Sequence, residues 1–233
     1  MKKLSLAVAC SSLILSPLAF ADTDTEVPQG IFGTSYVTGN VQFHDSGMHG
    51  SDMTSTLEAG HTFTTGTTVL VEFDGIQIGN LKDTDENGAV GVTLGLEQAY
   101  NINDNLWIAA GYHHLLANGD AIQYRPLVKI GYNFDNGISI SNRTRWHLDA
   151  TDAPNASDDT RMDNAIAYTF QDQPVSVKYN NVYMLDSEAM DHEFRATWTR
   201  SGVQPYAEYR SQGNNVDGEK SNNAFVIGAS YAF

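Results

Sequence analysis

The feature that most restricts what this chain can fold into is a period of two. After residue 31, apolar and polar residues alternate in one short run after another, and no stretch sustains a helical period. Alternation puts successive side chains on opposite faces of an extended strand, so the chain is predicted to be all-β. Six runs come first: Ile31 to Phe43, Met53 to Phe63, Thr68 to Ile78, Val90 to Tyr100, Leu106 to Leu116 and Tyr124 to Phe134. Six more follow: Ile138 to Leu148, Arg161 to Phe170, Val175 to Leu185, His192 to Thr199, Val203 to Ser211 and Ala224 to Phe233.

The connections between these runs suggest a topology. Every second one is short: Thr64 to Gly66, Asn101 to Asp104, Asp135-Asn136, Gln171 to Gln173 and Arg200 to Gly202. The others are mostly longer and more polar, such as Gly79 to Gly88, Asp149 to Thr160 and Gln212 to Asn223. A strict short/long alternation with an even strand count describes a twelve-stranded antiparallel transmembrane β-barrel, with short periplasmic turns, long outer loops and both termini in the periplasm.

Charge placement tests that assignment independently. If the apolar phase faces lipid, it carries Val128, Ile130, Tyr132 and Phe134 on one run and Phe225, Ile227, Tyr231 and Phe233 on another. The opposite phase then carries every charge inside the runs, among them Glu58, Glu72, Asp74, Glu97, Asp163, Glu193 and Glu208. An Arg or Lys on the lipid face near the bilayer centre would cost roughly 2–4 kcal/mol, which accounts for their absence there. Val182 and Met184 break the phase set by Val175, Val177 and Tyr179, and a bulge near Asn180-Asn181 is expected to explain it. Phe63, Tyr100, Phe134, Phe170 and Phe233 sit beside short turns or at the terminus, where an interfacial girdle would lie. Tyr112, Tyr124, Trp146 and Tyr183 are candidates for the opposite girdle, against outer-membrane lipid and lipopolysaccharide.

The first 21 residues are expected to be a cleaved signal peptide, leaving residues 22–233 as the barrel in the outer membrane of a Gram-negative cell. Lys2 and Lys3 precede an apolar stretch from Leu4 to Leu15, and Ala19-Phe20-Ala21 has the small-residue pattern of a cleavage site. The run is too short to span a bilayer, and Pro17 interrupts it. Cleavage would remove Cys10, the one cysteine, so no disulfide framework is expected. The whole chain has 13 Lys and Arg against 28 Asp and Glu, a net charge of -15, which argues against a nucleic-acid partner.

Inside the predicted lumen the charge is lopsided. Arg125, Lys129, Arg143, Arg145, Arg161, Lys178, Arg195 and Arg210 all come from runs six to eleven, whereas Glu58, Glu72, Asp74 and Glu97 come from runs two to four. A wall of guanidinium groups offers planar, always charged donors that match carboxylates, so these eight residues are the candidate substrate pathway for acidic solutes. Asp163, Glu193 and Glu208 are expected to pair with Arg161, Arg195 and Arg210 along their own strands.

The second half, about residues 120 to 233, resembles the oligogalacturonate-specific porin family. The residues that carry this are Tyr124-Arg125-Pro126, the run with Arg143 and Arg145, Asp191-His192-Glu193-Phe194-Arg195, Pro205-Tyr206-Ala207-Glu208-Tyr209 and the closing Tyr231-Ala232-Phe233. The resemblance implies a small monomeric twelve-stranded channel for acidic oligosaccharides, oligogalacturonates or related uronic and sialic acids. It also implies recognition of the terminal Phe233 by the barrel-assembly machinery. The acidic loops depart from what an anion channel would need outside its mouth, although salt screens them over roughly 8 Å.

Other motifs fail. Asp83-Thr84-Asp85-Glu86-Asn87-Gly88 starts like a calcium loop, but position twelve is Leu94, so the bidentate Glu is missing. His113 and His114 point to opposite faces of a strand, and no third ligand joins them as a zinc site. No cofactor, no metal and no enzymatic activity are expected, since no Ser lies in a G-x-S-x-G motif. A non-specific porin, a structural or adhesion barrel, and a barrel hydrolase are the alternatives.

Overall fold

The computed structural model describes residues 33–48, 50–79, 88–151, 153, 156–213 and 222–233. The expected signal segment and the calcium-like loop at 83–87 lie outside the described residues. Twelve strands follow in order: β1 (Thr34–Met48), β2 (Ser51–Thr62), β3 (Thr67–Gln77), β4 (Gly91–Asn101), β5 (Leu106–Ala117) and β6 (Asp120–Asn133). They continue as β7 (Ile138–Asp149), β8 (Asp159–Thr169), β9 (Val175–Met184), β10 (Met190–Trp198), β11 (Gln204–Gln212) and β12 (Asn222–Ala232). Each pairs antiparallel with its neighbour in sequence, and β12 pairs with β1 to close the barrel.

Closure satisfies the backbone groups that an edge would leave bare in lipid. The β1/β12 seam runs from Tyr36 opposite Ala232 to His44 opposite Ala224. Reciprocal bonds between Ser35 and Phe233, at 2.8 and 2.9 Å, extend it past the last strand residue.

The connections are less regular in length than the sequence suggests. All those on the periplasmic side are short, but two on the opposite side are equally tight. β1 and β2 meet with Met48 opposite Ser51, and β5 and β6 with Ala117 opposite Asp120. The second is a two-residue turn in which Asn118 and Gly119 both take positive φ, 53° and 91°, as a turn matched to strand twist requires. The strict length alternation is therefore corrected: here the strands pair up to a tight turn, which replaces a long loop.

The expected bulge in β9 is also absent. Its register is continuous from Arg161 opposite Met184 to Thr169 opposite Ser176, and equally regular against β10. Val182 and Met184 simply share the inward face with Lys178 and Asn180, and Val182 is buried there. The irregularities fall elsewhere, at Gly75 in β3, at Ile122 in β6 and in the β1/β2 pairing between Phe43 and Met48.

Burial inverts that of a soluble protein. The large apolar side chains, Val128, Ile130, Ile140, Ile166, Phe194, Phe225 and Ile227 among them, are exposed on the outer wall, and the inward face is mostly polar or charged. Inward aromatic rings need room, which glycine on the neighbouring strand supplies. A Cβ on Gly131 would lie 2.4 Å from the Trp107 ring, and one on Gly228 would lie 2.3 Å from the Tyr206 ring.

At the short-turn rim, aromatic pairs two residues apart repeat: Tyr132 with Phe134 at 4.7 Å, Tyr168 with Phe170 at 4.8 Å and Tyr231 with Phe233 at 5.5 Å between centroids. The opposite rim has Tyr112, His114 and Tyr124 in contact, with Trp146 exposed on β7, the strand next to that of Tyr124. The expected girdles thus have a structural counterpart, and Tyr183 shares the outward phase of β9 with Val177 and Tyr179, half-buried.

An outer-wall position should be sensitive to charge in proportion to its depth. Ile227→Arg is expected to lower the unfolding free energy in lipid vesicles by about 2–4 kcal/mol, measured by urea titration of the folded barrel.

Candidate functional site: the charged inner wall

All eight basic residues singled out by strand phase lie on the inward face. Arg125, Arg143, Arg145, Arg161, Arg195 and Arg210 are buried, and Lys129 and Lys178 are intermediate. The barrel brings them onto adjoining strands, β6 to β11, because each occupies the same alternation phase as its cross-strand neighbours.

Three carboxylates organise this wall, and two of them, Asp163 and Glu208, each serve two arginines. Asp163 on β8 accepts from Arg143 on β7 through Nε at 2.9 Å and Nη2 at 2.8 Å, and from Nη2 of Arg161 on its own strand at 2.8 Å. Glu208 on β11 accepts from Nε of Arg195 at 2.5 Å and, through its other oxygen, from Nε of Arg210. Glu97 on β4 meets Lys129 Nζ at 2.5 Å and His113 Nε2 at 2.8 Å. Sharing leaves each Asp163 and Glu208 cluster with one positive charge in excess, held in place by two-sided hydrogen bonding.

The expected same-strand pairs are confirmed at Asp163–Arg161 and Glu208–Arg210, but not at Glu193–Arg195. Arg195 lies directly opposite Glu208, which captures its Nε. Glu193 lies opposite Asn180 and accepts from that side chain at 2.9 Å. Cross-strand register outcompetes the shorter sequence spacing here.

Some of the basic groups stand partly or wholly outside these ion pairs. Lys178 stands opposite Arg195 in register and has no hydrogen bond or ion pair among the described residues. Arg195 Nη1 and Arg210 Nη2 are buried without a hydrogen-bond partner among the described residues. The Arg195 guanidinium lies 4.2 Å over the Tyr206 ring, which fixes its plane by cation–π attraction. Arg125 and Arg145 hydrogen-bond through Nε to Gln123 at 2.8 Å and to His147 at 2.9 Å.

The facing wall is acidic. Glu58 and Glu72 are directly opposite each other in register and each is 2% exposed, and Asp74 follows Glu72 on the same face. Tyr36 donates to Glu58 at 2.8 Å and Thr56 to Asp74 at 2.6 Å. A hydrogen-bonded chain links the two walls through β1: Arg210 to Gln42 at 3.1 Å, Gln42 to Thr56 at 2.7 Å, and Thr56 to Asp74. Strand phase alone did not single out Gln42, Thr56, Tyr36, His113, His147 or Tyr206; they share the inward phase but carry no fixed charge. Away from the loop-side rim, where Asp52, Asp149 and Asp191 sit, the eight cations face seven carboxylates: Glu58, Glu72, Asp74, Glu97, Asp163, Glu193 and Glu208.

A model of the oligogalacturonate-specific porin (KdgM) family matches residues 34–233. The chain belongs to this family. Family membership and the closed barrel together make it an outer-membrane channel of the porin type. Among solved structures, it superposes on the KdgM porin with a TM-score of 0.65 at 16% identity, covering 85% of this chain and 99% of that one. The NanC porin gives 0.67 at 15% identity, covering 84% and 98%. The Acinetobacter baumannii outer membrane protein Omp33 gives 0.52 at 12% identity, covering 88% and 100%. At these identities the superpositions speak to the fold. No curated sequence relative matches.

The shared carboxylates should be structural keystones. Asp163→Asn leaves two buried guanidiniums without their common counter-charge, and a loss of about 3–5 kcal/mol is expected. A lowered temperature of unfolding, read as the loss of the fast-migrating folded form in heated gel samples, checks this.

Proposed function

We propose that the barrel is a passive diffusion channel for acidic oligosaccharides, oligogalacturonate or related uronic and sialic acids, which travel along the β6–β11 wall. The observation that carries this reading is the sharing of Asp163 and Glu208 by two arginines each, which leaves fixed cationic excess facing the lumen. Arg195 Nη1 and Arg210 Nη2 stand outside these ion pairs but are enclosed, so a passing carboxylate reaches them after a side-chain shift that leaves the ion pairs through Nε intact. It therefore exchanges water for charge-assisted hydrogen bonds at little structural cost, and successive donors allow it to leave as easily as it entered. The family's printed description, an oligogalacturonate-specific porin, names the same chemical class.

The solute-facing residues in this reading are Arg125, Lys129, Arg143, Arg145, Arg161, Lys178, Arg195 and Arg210. Lys129 is held by a resident carboxylate, Glu97, which limits its share. The barrel acts alone, as a monomer. Residues 1–21 are a signal peptide removed on export, and Phe233 is the residue read by the barrel-assembly machinery, with outer-membrane lipid and lipopolysaccharide against the outer wall.

Single-channel recording in planar bilayers, with oligogalacturonate or a neutral maltooligosaccharide of equal length added, tests the reading. Block by the acid and none by the neutral sugar is expected. In the Arg143→Gln, Lys178→Gln, Arg195→Gln variant, Asp163 keeps Arg161 and Glu208 keeps Arg210, so the barrel should persist while block by the acid weakens at least tenfold. Equal block of wild type by both sugars, or undiminished block of the variant, contradicts the reading.

A further inference from the structure

The outer wall is not apolar throughout. Strand register places Asn142 on β7 opposite Asn164 on β8, Asn164 opposite Asn181 on β9, Asn181 opposite His192 on β10, and His192 opposite Ser211 on β11. These five share the outward phase of Ile140, Ile166, Tyr179, Phe194 and Tyr209, so an unbroken polar row crosses the lipid face. Apolar residues flank it along the strands: Ile140, Ile166, Tyr179 and Phe194 toward the short turns, and Trp146, Met162, Tyr183 and Met190 toward the loops.

Hydrocarbon offers such groups no partner, and the row satisfies itself only in part. Asn142 donates to Asn164 at 2.8 Å, Tyr179 Oη and His192 Nδ1 share a hydrogen bond of 2.8 Å, and the Asn181 amide reaches the Asp191 carbonyl at 3.5 Å. Asn164 Nδ2, Asn181 Oδ1 and His192 Nε2 have no partner among the described residues. None of these side chains is enclosed: Asn164 is exposed, and Asn181 and His192 are half-buried.

Depth and shape say what meets them. Trp146 and Tyr183 of the loop-side girdle lie two to four residues nearer the loops, so the row sits roughly 5–10 Å beneath the girdle on tilted strands. Acyl chains of the outer leaflet join their head group at that depth. On the short-turn side of the row, Ala196 and Ala207 stand opposite each other and floor an apolar groove of about 440 Å³ beside Val177, Tyr179, Phe194 and Tyr209. A lipid with its head toward the loops would lay its linkage groups on the row and a chain in the groove. The row carries no fixed charge, so it matches amide and hydroxyl groups better than phosphate. It also bends over about 19 Å of convex wall, five strands wide. A second barrel, itself convex, would touch that wall along one line, whereas lipid follows the curve.

We propose that this face over β8, β9 and β10 is a binding site for lipopolysaccharide: Asn164, Asn181 and His192 hydrogen-bond the amide-linked hydroxyacyl groups of its lipid A, and one acyl chain fills the groove at Ala196 and Ala207.

Native mass spectra of the purified barrel, with lipid A or phosphatidylglycerol added in detergent, test the site. Wild type should retain lipid A and, at the same concentration, no phosphatidylglycerol. Lipid A stripped of its ester-linked chains keeps the hydroxyacyl amides and should still bind. The Asn164→Leu, Asn181→Leu, His192→Leu variant sets apolar side chains against lipid, so it should fold, and its affinity for lipid A should fall at least about tenfold. Ala207→Phe fills the groove with the row intact and should weaken binding similarly; it decides alone if the triple variant does not fold. Undiminished binding by either folded variant overturns the proposal, as does equal retention of phosphatidylglycerol. A dimer of barrels that the triple variant abolishes would overturn it in favour of a second copy on this face.

Discussion

Lipid offers no hydrogen-bond partner to a bare peptide group, and that constraint governs the rest of this molecule. A sheet can cross hydrocarbon only if its first and last strands pair, which makes the nine-residue register of β1 on β12 the contact on which the others depend. Once the sheet is closed, alternation has a fixed meaning. One phase must dissolve in lipid and the other must face an enclosed space, so charge has only one direction in which to go.

Confining charge creates a second problem, because guanidiniums gathered on one wall repel each other. The chain answers it by sharing. Asp163 lies between Arg143 and Arg161, and Glu208 lies between Arg195 and Arg210, so each cluster keeps a single positive excess. The arginines are thereby fixed in orientation. The Arg210–Gln42–Thr56–Asp74 chain ties this wall to the carboxylates on the other side.

Much of this was legible in the sequence for a physical reason. Transmembrane strands have a two-fold period with a large penalty for error, so the phase of Arg143 and Arg145, or of Ile138 and Ile140, reports directly on the face. What alternation cannot convey is register. Which carboxylate captures Arg195 depends on Glu208 standing opposite it across the β10–β11 ladder, and the nearer residue in sequence, Glu193, goes to Asn180. Nor does phase distinguish a bulge from an inward apolar residue, as Val182 shows. Connection length was a weak guide for the same reason: the Asn118-Gly119 turn is short because β5 and β6 stay paired up to Ala117 and Asp120, a fact held in pairing and not in composition. Neutral partners such as Gln42 and Tyr206 carry no signal until the strands are placed side by side.

The central claim is that one strand phase lines a solute path and the other meets lipid. Single-cysteine labelling across residues 138–147, in a Cys10→Ser background so that the introduced thiol is the sole one, measures it most directly. With a membrane-impermeant thiol reagent on barrels in vesicles, labelling should alternate, strong at 139, 141, 143, 145 and 147 and weak between them. Oligogalacturonate should protect the strong positions. Uniform labelling, the opposite phase, or a strong phase that the acid sugar leaves unprotected would contradict the account.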